Sequence, residues 1–261
     1  MPIVNLSMAK IALITGATAG IGEACAHTFA REGYNLILTG RRMDRLEKLA
    51  NHLNDKYNVE VAVSSFDVRN REQVIQNLEG LPAHWKKVDV LVNNAGLSQG
   101  LDPIQNGSYD DWETMIDTNI KGLLYVSRVV SNWMIGNGYG HIINLGSIAG
   151  KEVYPNGNVY CATKHAVDAL NKGMRIDLND KGIRVSAVHP GAVETEFSEV
   201  RFKGDKERAK KVYDGFEPLV ADDVAETIWF IASRPAHVNI NDLIIMPTAQ
   251  ATATNIFRKN I

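Results

Sequence analysis

A tyrosine and a lysine stand four positions apart in the run Tyr160-Cys161-Ala162-Thr163-Lys164. On a helix that spacing puts both side chains on one face. A phenol is a poor acid/base at neutral pH because its unperturbed pKa is near ~10. An ammonium about 4 Å away is worth roughly 4 kcal/mol at an effective dielectric of ~20, or up to about 3 pKa units. That brings the phenol within working range of neutral pH. Read alone, the pair is also an ordinary Tyr/Lys couple on any helix. Two polar residues upstream add to it. Ser147 follows an apolar run in Asn144-Leu145-Gly146-Ser147, where a hydroxyl can hold a substrate oxygen as charge develops on it. Asn119 sits in an apolar context, where it either links Lys164 to solvent through water or repairs a kinked helix.

A second group of residues suits phosphate. Thr15-Gly16-Ala17-Thr18-Ala19-Gly20-Ile21-Gly22 follows the first apolar run. Glycines there permit a tight turn and close approach of backbone to phosphate, and the next helix offers free N–H groups to the anion. A merely structural turn is the alternative, since the spacing departs from the general dinucleotide fingerprint. About 20 residues further on, where an NAD enzyme places an acid for the ribose hydroxyls, the chain reads Leu38-Thr39-Gly40-Arg41-Arg42. A guanidinium can fork onto a 2′-phosphate and stack on adenine. Arg41 is therefore expected to select NADP(H), with Arg42 helping; a solvated pair capping the next helix is the other reading. Oxidised nicotinamide would add positive charge beside Tyr160.

The elements that must position these groups alternate. Short apolar runs at 11–14, 36–38, 59–66, 88–92, 141–145, 185–188 and 243–246 read as strands buried on both faces. Helices are expected at 21–32, 43–56, 71–79, 109–135, 159–180 and 221–233, with Gly33, Gly182 and the stretch 137–140 as stop signals. That order implies right-handed β-α-β units: an α/β, Rossmann-type, doubly wound parallel sheet of about seven strands, with helices on both faces and one domain over 1–261. Ser147 then falls at the carboxyl end of a strand, where such sheets place their ligands. Two segments break the alternation. The charged stretch 194–214 reads as a substrate lid. The tail 248–261 carries apolar residues that suit packing on a neighbouring subunit.

Bulk properties remove other classes. The 261 residues carry 28 Lys+Arg against 30 Asp+Glu, so no basic excess points to nucleic acid or an anionic membrane. Cys25 and Cys161 are too few for a disulfide framework, and the seven histidines lack ligand spacing, so no metal is expected. No apolar run approaches the roughly 20 residues that cross a bilayer, and the start lacks a signal-peptide pattern. A cytoplasmic location is expected. Met8 is an alternative start to Met1.

Taken in order, the glycine turn, Asn93-Asn94-Ala95-Gly96, Asn119, Ser147, Tyr160-x3-Lys164 and Pro190-Gly191 resemble the short-chain dehydrogenase/reductase family over residues 10 to 246. The resemblance implies that Tyr160 is the acid/base, Lys164 its electrostatic partner, Ser147 the carbonyl holder and Asn119 a proton-relay member. It places cofactor contacts at Gly16, Thr18, Gly20, Ile21, Gly22, Asp67, Val68, Asn93, Ala95, Gly96, Tyr160, Lys164, Pro190, Val193 and Thr195, and it implies a homotetramer.

Further stretches, among them 111–119, 157–160, 195–205 and 235–241, are similar to the bacterial NADP-dependent 3-hydroxy acid dehydrogenases acting on L-allo-threonine, serine and 3-hydroxypropionate. A carboxylate substrate needs a cation, and a guanidinium can bind it bidentately. Arg201 in the lid is the candidate, with Lys203 behind it; the alternative is a solvent-facing charge paired with Glu199 or Asp205. A reductase of another short acid-bearing aldehyde, such as sulfoacetaldehyde, is the nearest rival. A non-catalytic NADP(H)-binding redox sensor is a rival of a different class, although it need not retain Ser147, Tyr160 and Lys164.

Overall fold

Seven strands form where the apolar runs end and begin: β1 Ile11–Thr15, β2 Asn35–Gly40, β3 Val61–Ser65, β4 Val88–Asn93, β5 Gly140–Leu145, β6 Ile183–Pro190 and β7 Asp242–Ile245. The computed structural model describes residues 9–259. The Met1/Met8 choice and the last two tail residues lie outside the described residues.

All pairings are parallel, in the order β3-β2-β1-β4-β5-β6-β7. The order reverses between β1 and β4, which opens a crevice at their carboxyl ends. Strand alternation sorts side chains into two cores. Ala12 and Ile14 of β1 join the core with Phe29, Leu46 and Ile228, from α1 (Gly20–Arg31), α2 (Met43–Tyr57) and α9 (Ala221–Ala232). Ile11 and Leu13 join the opposite core with Val74, Val130 and Leu178, from α3 (Arg71–Glu79), α5 (Leu123–Asn137) and α6 (Asn158–Leu178). Burial on both faces holds for the central strands. It fails at the two edges, where Val61, Ala62 and Val63 are half-buried and β7 alternates exposed with half-buried residues.

The expected helix over 109–135 is not continuous. α4 (Tyr109–Ile116) passes into a π-turn at Asp117–Gly122 before α5 begins. A π-turn inserts an extra residue and re-aims its side chains, here turning Asn119 towards the loop after β4. Gly122 lies against Val68 so closely that a Cβ there would meet Val68 Cγ2 at 2.7 Å.

The 194–214 segment folds as two short helices, α7 (Phe197–Arg201) and α8 (Lys206–Lys211). The tail is anchored to its own chain. Gln250 Oε1 accepts from Ala192 N at 2.8 Å, and Lys259 N donates to Gly215 O at 2.8 Å. Phe257 remains 68% exposed. Among the described residues, no helix is long and apolar enough to cross a membrane.

Candidate active site

One cleft runs along the carboxyl ends of β1, β2, β4, β5 and β6. At its floor, Gly16 and Gly20 adopt φ of +68° and +56°, which glycine tolerates best. A Cβ on Gly16 would meet Ala95 Cα and Asn94 Nδ2 at 3.0 Å. Asn94 Nδ2 in turn donates to Thr15 O at 2.8 Å and Gly16 O at 3.2 Å, tying the two turns together. Thr18, Ile21, Ala95 and Gly96 line the same stretch. Gly22 is behind the turn, where a Cβ would lie 2.3 Å from Gly16 O; it is a close-packing residue and does not line the cleft.

The Asn93 side chain does not line the cleft either, so the cofactor contact that the resemblance implies there would be made by its backbone. As the last residue of β4 it faces the core, where Nδ2 donates to Ser127 Oγ at 2.8 Å and Asn144 Oδ1 at 2.9 Å. The next residue, Asn94, points the other way and takes the place in the cleft.

At the far end of β2, Arg41 and Arg42 both line the cleft, opposite Asp67 and Val68. Arg42 is held by Thr18, with Nη2 donating to Oγ1 at 2.8 Å, and by Glu196 at 3.1 Å. The Arg41 side chain has no hydrogen-bond partner among the described residues, so its guanidinium is free for an incoming anion. Asp67 is ion-paired with Arg69 at 2.6 Å. Pro190, Val193 and Thr195 close the opposite wall, with Thr195 packed over Gly20.

The far end of the cleft is buried. Tyr160 is 8% and Lys164 6% exposed, both on α6. Lys164 Nζ donates to Leu145 O at 2.8 Å. Gly96 separates it from Asn119, since a Cβ there would stand 3.6 Å from Lys164 Nζ and 3.2 Å from Asn119 Oδ1. Asn119 Nδ2 donates to Leu97 O at 2.8 Å and Thr163 Oγ1 at 3.0 Å, and its Oδ1 accepts from Leu97 N at 2.9 Å. Both amide hydrogens are committed, so only Oδ1 keeps a lone pair towards the lysine. Asn119 thereby fixes the Leu97–Ser98 segment against the helix.

Arg201 reaches this centre from α7. Its Nε donates to Ser98 Oγ at 3.0 Å and its Nη2 to Tyr154 Oη at 2.6 Å. Its Cζ stands 5.2 Å from the ring centre of Tyr160, 5.3 Å from Phe197 and 5.7 Å from Tyr154. Nη1 has no partner among the described residues. Neither Glu199 nor Asp205 pairs with Arg201, while Lys203 is taken by Asp111 at 2.9 Å. Sequence reading identified Arg201 but missed Ser98, Tyr154 and Phe197, which hold it in place.

Residues 10–206 match the family model for short chain dehydrogenases. The chain belongs to the short chain dehydrogenase family. It is 47% identical to the NADP-dependent 3-hydroxy acid dehydrogenase YdfG of Escherichia coli strain K12, covering 95% of this chain and 100% of the relative. It is equally 47% identical to sulfoacetaldehyde reductase 2 of Chromohalobacter salexigens, over 94% and 96% of the two chains. The solved closed form of serine dehydrogenase complexed with NADP+ superposes with a TM-score of 0.89 at 46% identity, over 95% of this chain and 100% of that one.

Within this short chain dehydrogenase, a second cation bears on the phenol. Burial raises the Tyr160 phenol above its ordinary value, helped by neighbouring Tyr154. The charge that opposes burial is that of Arg201, together with a hydrogen bond from Ser147. Lys164 is turned towards Leu145 O, and burial lowers its own pKa from 10.5 to about 8.

Asp168, His189 and Asp242 come together with metal-ligand spacing behind Ser147. The Lys151 ammonium already bridges Asp168 at 2.6 Å and Asp242 at 3.2 Å, taking the place a cation would.

Proposed function

We propose that this chain is an NADP(H)-dependent oxidoreductase interconverting a small 3-hydroxy acid, such as L-allo-threonine, serine or 3-hydroxypropionate, and its carbonyl form. The observation that carries this reading is the Arg201 guanidinium, open at Nη1 and stacked beside the Tyr160 ring. A cation one ring away from the acid/base suits a substrate whose anionic group lies a few bonds from the reacting carbon.

The cleft fits the cofactor on its own terms. The Gly16 and Gly20 cradle admits a pyrophosphate at the α1 N-terminus, and the unpartnered Arg41 suits a 2′-phosphate. When bound, the cofactor supplies or accepts the hydride. The chain's residues manage the rest. Ser147 holds the substrate oxygen, Tyr160 Oη takes the hydroxyl proton in oxidation and returns it in reduction, and Lys164 positions the cofactor's ribose. Asn119 Oδ1 stands where a water could pass the proton on from Lys164. Arg201 fixes the carboxylate so that the reacting carbon stays near the phenol.

A sulfonate would bind the same guanidinium, so reduction of sulfoacetaldehyde is the second reading, favoured by the likeness to the Chromohalobacter protein. The redox-sensor reading is less economical, because Ser147, Tyr160 and Lys164 all line one cleft.

The test is NADPH oxidation measured against malonic semialdehyde, sulfoacetaldehyde and a neutral aldehyde of similar size, with the reverse reaction run on serine and allo-threonine. The expected result is preference for the acids, with Arg201→Ala losing about 10- to 100-fold in kcat/KM on acids and little in neutral-aldehyde reduction. Equal turnover of charged and neutral aldehydes by the native protein would overturn the assignment.

The same proposal includes a cytoplasmic homotetramer. Ile116, Leu124, Ile244 and Phe257 are exposed apolar side chains that an assembly would cover. Light scattering at four times the chain mass is the expected outcome.

A further inference from the structure

Glu196 begins the lid where the cleft meets the paired arginines. Its Oε1 accepts from Arg45 Nη1 at 2.8 Å and its Oε2 from Arg42 Nη1 at 3.1 Å. Arg42 is gripped from the other side by Thr18, through Nε and Nη2 to Oγ1 at 3.2 and 2.8 Å and Nη2 to the carbonyl at 3.2 Å. Thr18 in turn lies against Gly40, where a Cβ would be 2.8 Å from Thr18 Cγ2. Arg41 lines the same stretch with no side-chain partner among the described residues. A carboxylate thus pairs with two guanidinium groups, and a third lines the same cleft, at the place where the cofactor's extra phosphate would arrive.

Its sequence neighbours reach further. Thr195 covers Gly20, at 3.3 Å from a Cβ there. Phe197 packs on the Tyr160 ring at 5.6 Å between centres and on Arg201 at 5.3 Å. A movement of Glu196 is therefore transmitted, within one residue, to the pyrophosphate turn on one side and to the acid/base on the other.

We propose that Glu196 is an internal counter-anion for the 2′-phosphate subsite: it neutralises Arg42 and Arg45, and the phosphate of NADP(H) displaces it and re-sets the lid over Tyr160. This rests on the NADP(H) reading given above. A phosphate forks onto arginine better than a single carboxylate oxygen does, and two anions sharing one guanidinium repel. Thr18 keeps Arg42 in position without Glu196, so removing the carboxylate charge leaves the phosphate site formed. The carboxylate is 45% exposed in both ion pairs, so the effect is modest and shrinks with added salt.

The experiment is calorimetric titration of adenosine 2′,5′-bisphosphate and of 5′-AMP into the full chain and into Glu196→Gln at low salt. Amide hydrogen exchange over residues 195–201 is followed in parallel. The variant is expected to bind the bisphosphate about two- to fivefold tighter, with 5′-AMP unchanged. In the native chain the bisphosphate speeds exchange in the 195–201 segment, and in Glu196→Gln that exchange is fast beforehand. Equal or weaker bisphosphate binding by the variant, or a lid whose exchange ignores the ligand, overturns the proposal. A native chain that does not prefer the bisphosphate to 5′-AMP refutes the NADP(H) reading itself, and this proposal with it.

Discussion

Replacing Lys164 with Met should destroy turnover and yet make the protein more stable at neutral pH. Burial lowers the lysine from 10.5 to about 8. At about 1.36 kcal/mol per pKa unit, holding it charged in the fold costs about 3 kcal/mol. Its hydrogen bond to Leu145 O at 2.8 Å returns about 1 kcal/mol of that. A methionine of similar length removes both, for a net gain of about 2 kcal/mol. The pH dependence gives the signature. With the folded pKa below the unfolded one, the unfolded chain binds more protons between about 8 and 10.5. The native protein therefore bears the full penalty below pH 8 and sheds it as pH rises through that window. The variant has no such slope. Urea unfolding of both proteins at matched concentration, from pH 7 to pH 10, measures the difference directly. A Lys164→Met protein less stable than the native one at pH 7, or a difference that does not shrink towards pH 10, would refute the reasoning.

Tyr160→Phe removes the group proposed to exchange the substrate proton; kcat should fall by about 10²- to 10⁴-fold, while NADPH titrated by fluorescence binds as before. Arg41→Ala should raise the KM for NADPH about tenfold or more and leave NADH almost unaffected; equal losses with both cofactors would remove Arg41 from the phosphate site. For alcohol oxidation, which needs the deprotonated phenol, Arg201→Ala should push the rising pH limb upward even with a neutral alcohol. The native phenol already lies above its ordinary value, and Arg201 supplies the opposing charge. A rate profile unchanged in pH would show that the guanidinium does not act on Tyr160.

Local pattern was enough for most of the scaffold. The runs at 11–14 and 88–92 place β1 and β4, and the glycines that follow β1 mark the turn because their positive φ is a backbone demand visible in residue type. Edge position is not visible in the same way. The run at 59–66 looks as apolar as a central strand, yet β3 pairs on one side only and its valines stay half-buried. The π-turn at Asp117–Gly122 was also hidden, since its stretch carries ordinary helix-compatible periodicity and the extra residue is fixed by contacts to Leu97 and Thr163.

Within the site, legibility followed sequence distance. Tyr160 and Lys164 are one helical turn apart, so their shared face could be read directly; the further groups each of them meets could not. That depends on where each side chain finds its partner, and Lys164 finds Leu145 O, 19 positions away. A further cation that opposes burial at Tyr160 is Arg201, held by Ser98 and Tyr154, 103 and 47 positions distant. Asn93 and Asn94 differ at single-residue scale: at the end of β4 the first side chain enters the core and the next, just past the strand, lines the cleft. On the proposed function, α7 completes the acid/base. With Arg201 carried on that helix, any movement of it would change both the anchor proposed for an anionic substrate and the charge near the phenol, so binding the acid and tuning the proton donor would be one structural event.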